Sequence, residues 1–206
     1  MLHEVLLALS GHPSPLFEDA GSGDAGNDFP LLSTSEKALL ESLGRLSSLH
    51  RKLNQHIDAI ARQHDSMICR AVATSIKQKH LSRFQDKILD VERRILKQDA
   101  NIVGAYDIVP LSAVVNEFER WHRRMNWYWD MACLMRAPPS SRGADGSCSG
   151  AALIDRLRIE QQSGFPDIEE IAIELSRTAE TAWLRQIATW VIHGMLGTGD
   201  PLAVLN

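Results

Sequence analysis

Cysteine is scarce and poorly placed for pairing: Cys69, Cys133 and Cys148 are odd in number, far apart and outside any C-x-x-C spacing. That excludes a disulfide framework and a cysteine zinc site, and it fits a reducing compartment. Basic residues are missing from the start of the chain, where the first Lys or Arg is Lys37. The opening MLHEVLLALSG has seven apolar residues in its first nine, but no basic lead, and His3 and Glu4 break the run, so it does not read as a secretory signal. No window approaches the roughly 20 predominantly apolar residues that a membrane-spanning helix needs. What remains is a short amphipathic helix with Leu2, Val5, Leu6 and Leu9 on one face, and no membrane partner is expected.

Catalytic and ligand-binding motifs are missing too. Among eight histidines there is no HEXXH or HXXXH, and no Cys/His pair at zinc spacing; His50 falls on a core-facing helix position and reads as a buried imidazole. The chain has no G-x-S-x-G, no Walker lysine and no carboxylate pair set apart from ordinary surface acids, so no catalytic residue, cofactor or metal is expected. GSGDAG at 21–26 matches G-x-G-x-x-G by letter. Its context differs: no strand precedes it, NDFP follows, and Glu18, Asp19, Asp24 and Asp28 would repel a phosphate. It reads as an acidic loop.

A formal charge of -4 gives no electrostatic reason to expect nucleic acid. The charge is uneven, however. Residues 1–36 carry six acids and no Lys or Arg, whereas 70–97 carry eight Lys or Arg against three acids. In that basic stretch charge alternates with core positions, as on a solvated helix face; its functional alternative is a docking face for an acidic protein.

What is present is helix-period patterning in a chain long enough to bury roughly 70% of its unfolded surface. Two stretches are loop-like: 11–33, rich in Gly, Pro, Asp and Ser, and 137–150, APPSSRGADGSCSG. Ser33 and Glu36 have capping-box spacing, and Leu39, Leu43, Leu46, His50, Leu53, Ile57 and Ile60 then predict a helix of nearly thirty residues. From 66 to 97 two apolar phases compete, Ile68, Val72 and Ile76 against Leu81, Phe84, Ile88, Val91 and Ile95; two helices or one kinked helix meet at KQKH, 77–80. After a turn-like DANIVGAYD, a helix from about 108 carries Leu111, Phe118, Met125 and Ala132 interleaved with Val114, Trp121, Tyr128 and Met135, a strict a/d seam. Two further helices are predicted, about 151–162 and, after Gly164 and Pro166, about 167–196, with Gly197 and Gly199 ending the last. The fold class is all-α: elongated, stacked antiparallel bundles of about seven helices.

ERWHRRMNWYWDMACLM is the most unusual composition in the chain. Trp121 and Tyr128 lie on the seam and Trp129 widens it, which places them in the core. Trp127 falls two positions past Met125 toward the opposite side. It is the candidate interface residue, and burial by another helix of a second bundle is the competing reading.

Three stretches resemble the gamma-tubulin complex component family. MLHEVLLALSGHP resembles the start of members that begin directly on a Met-Ile-His-Glu-Leu-Leu-Leu-Ala-Leu-Ser-Gly helix. CRAVATSIKQKHLSRFQDKILDVERRIL is similar to a family stretch of an Arg-Ala helix, a short break, and an aromatic followed by a Leu-x-x-Leu-Glu-like run, matched by Phe84, Ile88, Val91 and Glu92. WLRQIATWVIHGML resembles the signature Leu-x-x-Trp-Met-Leu-His-Gly-x-Leu, matched by Ile187, Trp190, Val191, Ile192, His193, Gly194 and Leu196. The resemblance implies that residues 1–206 are the N-terminal helical-bundle domain of a complex component. Such a domain associates laterally with neighbouring components, so that a ring templates a microtubule. It also implies a cytoplasmic location at the cytoskeleton, in a microtubule organising centre or spindle pole. The gamma-tubulin-binding C-terminal domain is then absent from the chain, since GTGDPLAVLN follows where the family continues into an acidic, Glu-Phe-Phe-like segment. The alternative is a helical subunit of a vesicle-tethering complex, which also stacks long bundles and lacks an active site.

Overall fold

Ser33 and Glu36 close the expected capping box. The Ser33 N–H donates to Glu36 Oε2 at 2.9 Å and the Glu36 N–H donates to Ser33 Oγ at 3.3 Å. The Ser33 N–H, and the Ser33 hydroxyl at 2.8 Å, both donate to the Glu36 carboxylate and lower its pKa. In this computed structural model, which describes residues 2–14, 17, 33–99, 102, 108–136 and 149–194, the box opens a thirty-residue helix.

The described elements are α1 (Leu2–Leu9), α2 (Thr34–Gln63), α3 (Met67–Ser75), a π-helical stretch (Ile76–Leu81), α4 (Ser82–Leu96), α5 (Leu111–Arg136), α6 (Gly150–Glu160) and α7 (Pro166–His193). Because α3, the π stretch and α4 form one uninterrupted rod, the two helices expected around KQKH count as one, and the described residues make six rods with no strand. GSGDAG, Cys148, Gly197, Gly199 and most of the loops 11–33 and 137–150 and of the 99–107 link lie outside the described residues.

The register slip at KQKH is resolved by the π turn. A π turn accommodates one inserted residue, so the Ile68, Val72, Ile76 stripe hands over to Phe84, Ile88 and Val91, all buried. Both His80 and Leu81 point inward at the crossing. Downstream, Ser149 caps α6 by accepting from the Ala152 N–H at 3.2 Å, and Pro166 opens α7. The stop of α7 falls earlier than the glycine pair 197/199. Gly194 takes a left-handed φ of 64°, and its N–H closes on the Trp190 carbonyl at 2.8 Å.

The chain divides into two compact units, Met1–Lys52 with Ser82–Asn126, and Leu53–Leu81 with Trp127–Asn206. In the first unit Phe84 is the centre, its ring 5.0 Å from His50, 5.0 Å from Trp121 and 5.9 Å from Phe118. The opening helix belongs to this core. Val5, Leu6 and Leu9 are buried, α1 packs on α4, and Ser47 donates to the Ala8 carbonyl at 2.7 Å. Gly11, at φ 100°, turns the chain over the His50 ring. Burial pushes the His50 pKa down against a smaller opposing pull from the Leu9 backbone, so the imidazole is neutral at pH 7. Gly44 leaves room in α2 for the Phe17 ring, which lies where a Cβ would go.

In the second unit α7 packs against both α3 and α6. Ile68, Val72 and Ile76 meet a core supplied also by Leu153 and Leu157 of α6 and by Ile168, Ile171, Leu175 and Ala179 of α7. Tyr128, Ala132 and Met135 of the a/d seam extend it from α5, and Met131, off the seam, is buried with them. Each fully buried Leu, Ile or Phe contributes about 1.5–3 kcal/mol.

Candidate interaction surface

Trp127 is the candidate interface residue. It does not stand on an open flank: only 8% of it is exposed, and its indole N–H donates to Glu160 Oε2 at 3.0 Å. Glu160 is held in turn by Arg156 at 2.6 Å. Among the described residues the one hydrogen bond of the indole to another element is that to Glu160, the last residue of α6. Trp129, half-buried, tilts against His56 at 4.7 Å.

Exposed aromatic surface lies elsewhere, on α7. Its first half buries Ile168, Ile171, Ala172, Leu175, Ser176 and Ala179, and none of the described residues from Glu180 to Gly194 is buried. Yet that second half remains apolar. Trp183 and Trp190 are 41% and 42% exposed, and Leu184, Val191 and Ile192 are more so. Trp183 and Trp190, seven residues apart, continue at helical spacing the face that Ser176 and Ala179 bury one and two turns earlier. An apolar helix stripe is normally covered, and clustered exposed aromatics mark interaction surfaces. The sequence signal was available: between Glu180 and His193 the only charged residue is Arg185.

A second feature of the same unit is an open groove of about 690 Å³ between α3 and α7, lined by Ala71, Lys79, Glu174, Arg177, Thr178 and Arg185 among others. A shallower groove of about 480 Å³ continues it past Arg70, Thr74 and Ser75. The π turn shapes this wall. It sets Lys79 Nζ 3.4 Å and His80 Nε2 3.8 Å from the two oxygens of Glu174, while Lys77 pairs with Asp58. Neither groove has a nucleophile and base placed for catalysis. Among the described residues no cluster of three or more His, Cys, Asp or Glu could hold a metal, and no helix is long and apolar enough to cross a membrane.

Comparison with known proteins gives a family model, "Gamma tubulin complex component N-terminal", that matches residues 2–203. The chain is also 22% identical over 213 residues to gamma-tubulin complex component 4 of Mus musculus and of Homo sapiens. Those matches cover 95% of this chain and 29% of each relative, so the chain spans less than a third of the relatives' length.

Proposed function

The chain belongs to the gamma-tubulin complex component family, through the N-terminal domain of that family, and from this premise we propose that it is a non-catalytic assembly subunit of gamma-tubulin complexes. Its role is lateral association with the N-terminal domains of neighbouring components, at a microtubule organising centre or spindle pole in the cytoplasm. Contact with gamma-tubulin itself is assigned to the part of the longer relatives that this chain does not span.

The observation that carries the reading is the uncovered apolar half of α7, where Trp183, Leu184, Trp190, Val191 and Ile192 lie exposed. Aromatic anchors of this kind dominate the energetics of protein interfaces. Related subunits meeting head to tail form heterologous contacts that build a ring or a helical array. Each contact can be weak when many act together. Neither matched relative is a vesicle-tethering subunit by name.

The test is sedimentation of the chain alone, mixed with N-terminal halves of gamma-tubulin complex components, and mixed with isolated gamma-tubulin. A complex with one of the N-terminal halves, and none with gamma-tubulin, is expected. Robust gamma-tubulin binding by this chain would overturn the division of roles.

A further inference from the structure

The groove between α3 and α7 has a chemistry distinct from the apolar end of α7. Its floor is made of small side chains, Ala71, Thr74 and Ser75 from α3 and Thr178, Thr181 and Ala182 from α7. Small residues let an incoming helix approach at the near end of the usual 8–10 Å interaxial distance. Together the two grooves carry Arg70, Lys79, Arg177 and Arg185 against Glu170 and Glu174, a local excess of two positive charges on a chain of formal charge -4.

That charge is not evenly committed. Lys79 is paired with Glu174, and the Arg70 Nε–H donates to the Ala61 carbonyl at 3.2 Å. Arg177 and Arg185 are exposed and form no ion pair among the described residues. They project from one face of α7 eight residues apart, about 12 Å along the axis, with Thr178, Thr181 and Ala182 between them. Glu170, the groove acid with no ion pair among the described residues, lies two turns before Arg177, so the positive charge without an ion pair is concentrated over 177–185.

We propose that this groove is the docking site for an acidic helix of a partner protein, one presenting a small-residue face flanked by carboxylates seven or eight residues apart. Two such carboxylates reach Arg177 and Arg185 together as charge-assisted pairs, while the small faces of the two helices meet along Ala71, Thr178 and Ala182. The basic stretch 70–97 supplies one wall of this site through Arg70 and Lys79, and α7 supplies the other. The inference stands on the groove itself and does not depend on which family member binds the apolar end of α7.

The test uses the full chain and fluorescence anisotropy with a labelled alanine-rich helical peptide of about three heptads, one glutamate per heptad. Its glutamine counterpart is expected to bind at least tenfold more weakly. Arg177→Glu with Arg185→Glu is expected to weaken binding of the glutamate peptide at least tenfold at unchanged melting temperature, whereas Arg136→Glu, exposed on α5 and lining neither groove, leaves it unchanged. Raised salt should weaken binding to the wild type. Equal affinity for the two peptides, or equal loss from Arg136→Glu, would overturn the proposal by showing no site-specific charge recognition. Binding that appears only when the acidic residues 18–32 are removed would also overturn it, by making the chain's own acidic stretch the occupant.

Discussion

Trp127 donates its indole N–H to Glu160 across 3.0 Å, tying the outer flank of α5 to the last turn of α6. The indole also meets Tyr128 edge to face at 5.6 Å, so the ring is packed and hydrogen-bonded at once. Trp127→Ala is therefore expected to destabilise the chain by about 3–5 kcal/mol, as large-to-small changes of buried aromatics do. At about 2–4 °C per kcal/mol for a chain of this size, the melting temperature should fall on the order of 10 °C. Trp127→Phe keeps most of the packing and should cost less. Thermal denaturation followed by circular dichroism checks both; an unchanged melting point for the alanine variant would return Trp127 to the surface.

The seam settles only part of the placement of Trp127, for a physical reason. Counting from the a/d seam reports which side of α5 faces its own core, and by that count Trp127 points away. It cannot report that Glu160, 33 residues later in the sequence, accepts from the Trp127 indole N–H. Local rules read well: the Ser33 and Glu36 box, the thirty-residue helix after it, the seam from Val114 to Met135 and the slip at KQKH all appear in the structure. The amphipathic opening, ambiguous as a string of leucines, becomes a core helix because Val5, Leu6 and Leu9 find α4. Tertiary placement was not legible. The groove needs α3 and α7 side by side, and exposure of Trp183 and Trp190 depends on where α6 and α3 stop covering α7.

The π turn makes a prediction of its own. Ile76, His80, Phe84 and Ile88 are buried at steps of four, and Gln78 between the first two is exposed. Removing Gln78 shortens the first step to three, which returns the rod to ordinary α-helical spacing with the same residues inside. The deletion should be tolerated far better than deletion of exposed Gln85 in α4, which would rotate Ile88 and Val91 off the core by about 100°. Melting temperatures of the two deletions decide it: equal losses would mean that the π turn does not absorb an inserted residue.

Stability should depend on pH through His50 and His122. Burial lowers the pKa of each below the usual value; for His122 Glu119 opposes the shift and Arg45 adds to it. In the unfolded chain both take up protons as the pH falls through about 6.5, while the folded chain resists protonation until lower pH. The unfolded state then binds more protons, so stability is full above that value and is lost as the pH falls toward the folded pKa values. The melting temperature should be flat from about pH 8 to 7 and decline below about 6.5. His50→Leu, which removes the more deeply buried of the two, should flatten that decline. A wild type with no loss between pH 7 and 5 would contradict this account.

Ser47 reaches from α2 to the Ala8 carbonyl, and that bond is buried. Ser47→Ala removes this bond while the Ala8 carbonyl keeps the Gly11 N–H at 2.9 Å, and should cost about 0.5–1.5 kcal/mol. Hydrogen exchange should show it first in α1, with amides of Leu6 to Leu9 losing protection before those of α4. Uniform loss of protection throughout the first unit would mean that α1 does not open separately.

We propose that this chain assembles through the apolar half of α7. It is tested most directly by sedimentation velocity of the chain, and of its Trp183→Glu, Trp190→Glu double variant, mixed with N-terminal halves of gamma-tubulin complex components. The account predicts a complex for the wild type that the double variant fails to form, while the variant keeps its helix content and melting temperature because neither indole is part of the buried core. A wild type that sediments alone in every mixture, or a double variant that binds as well as the wild type, would contradict it.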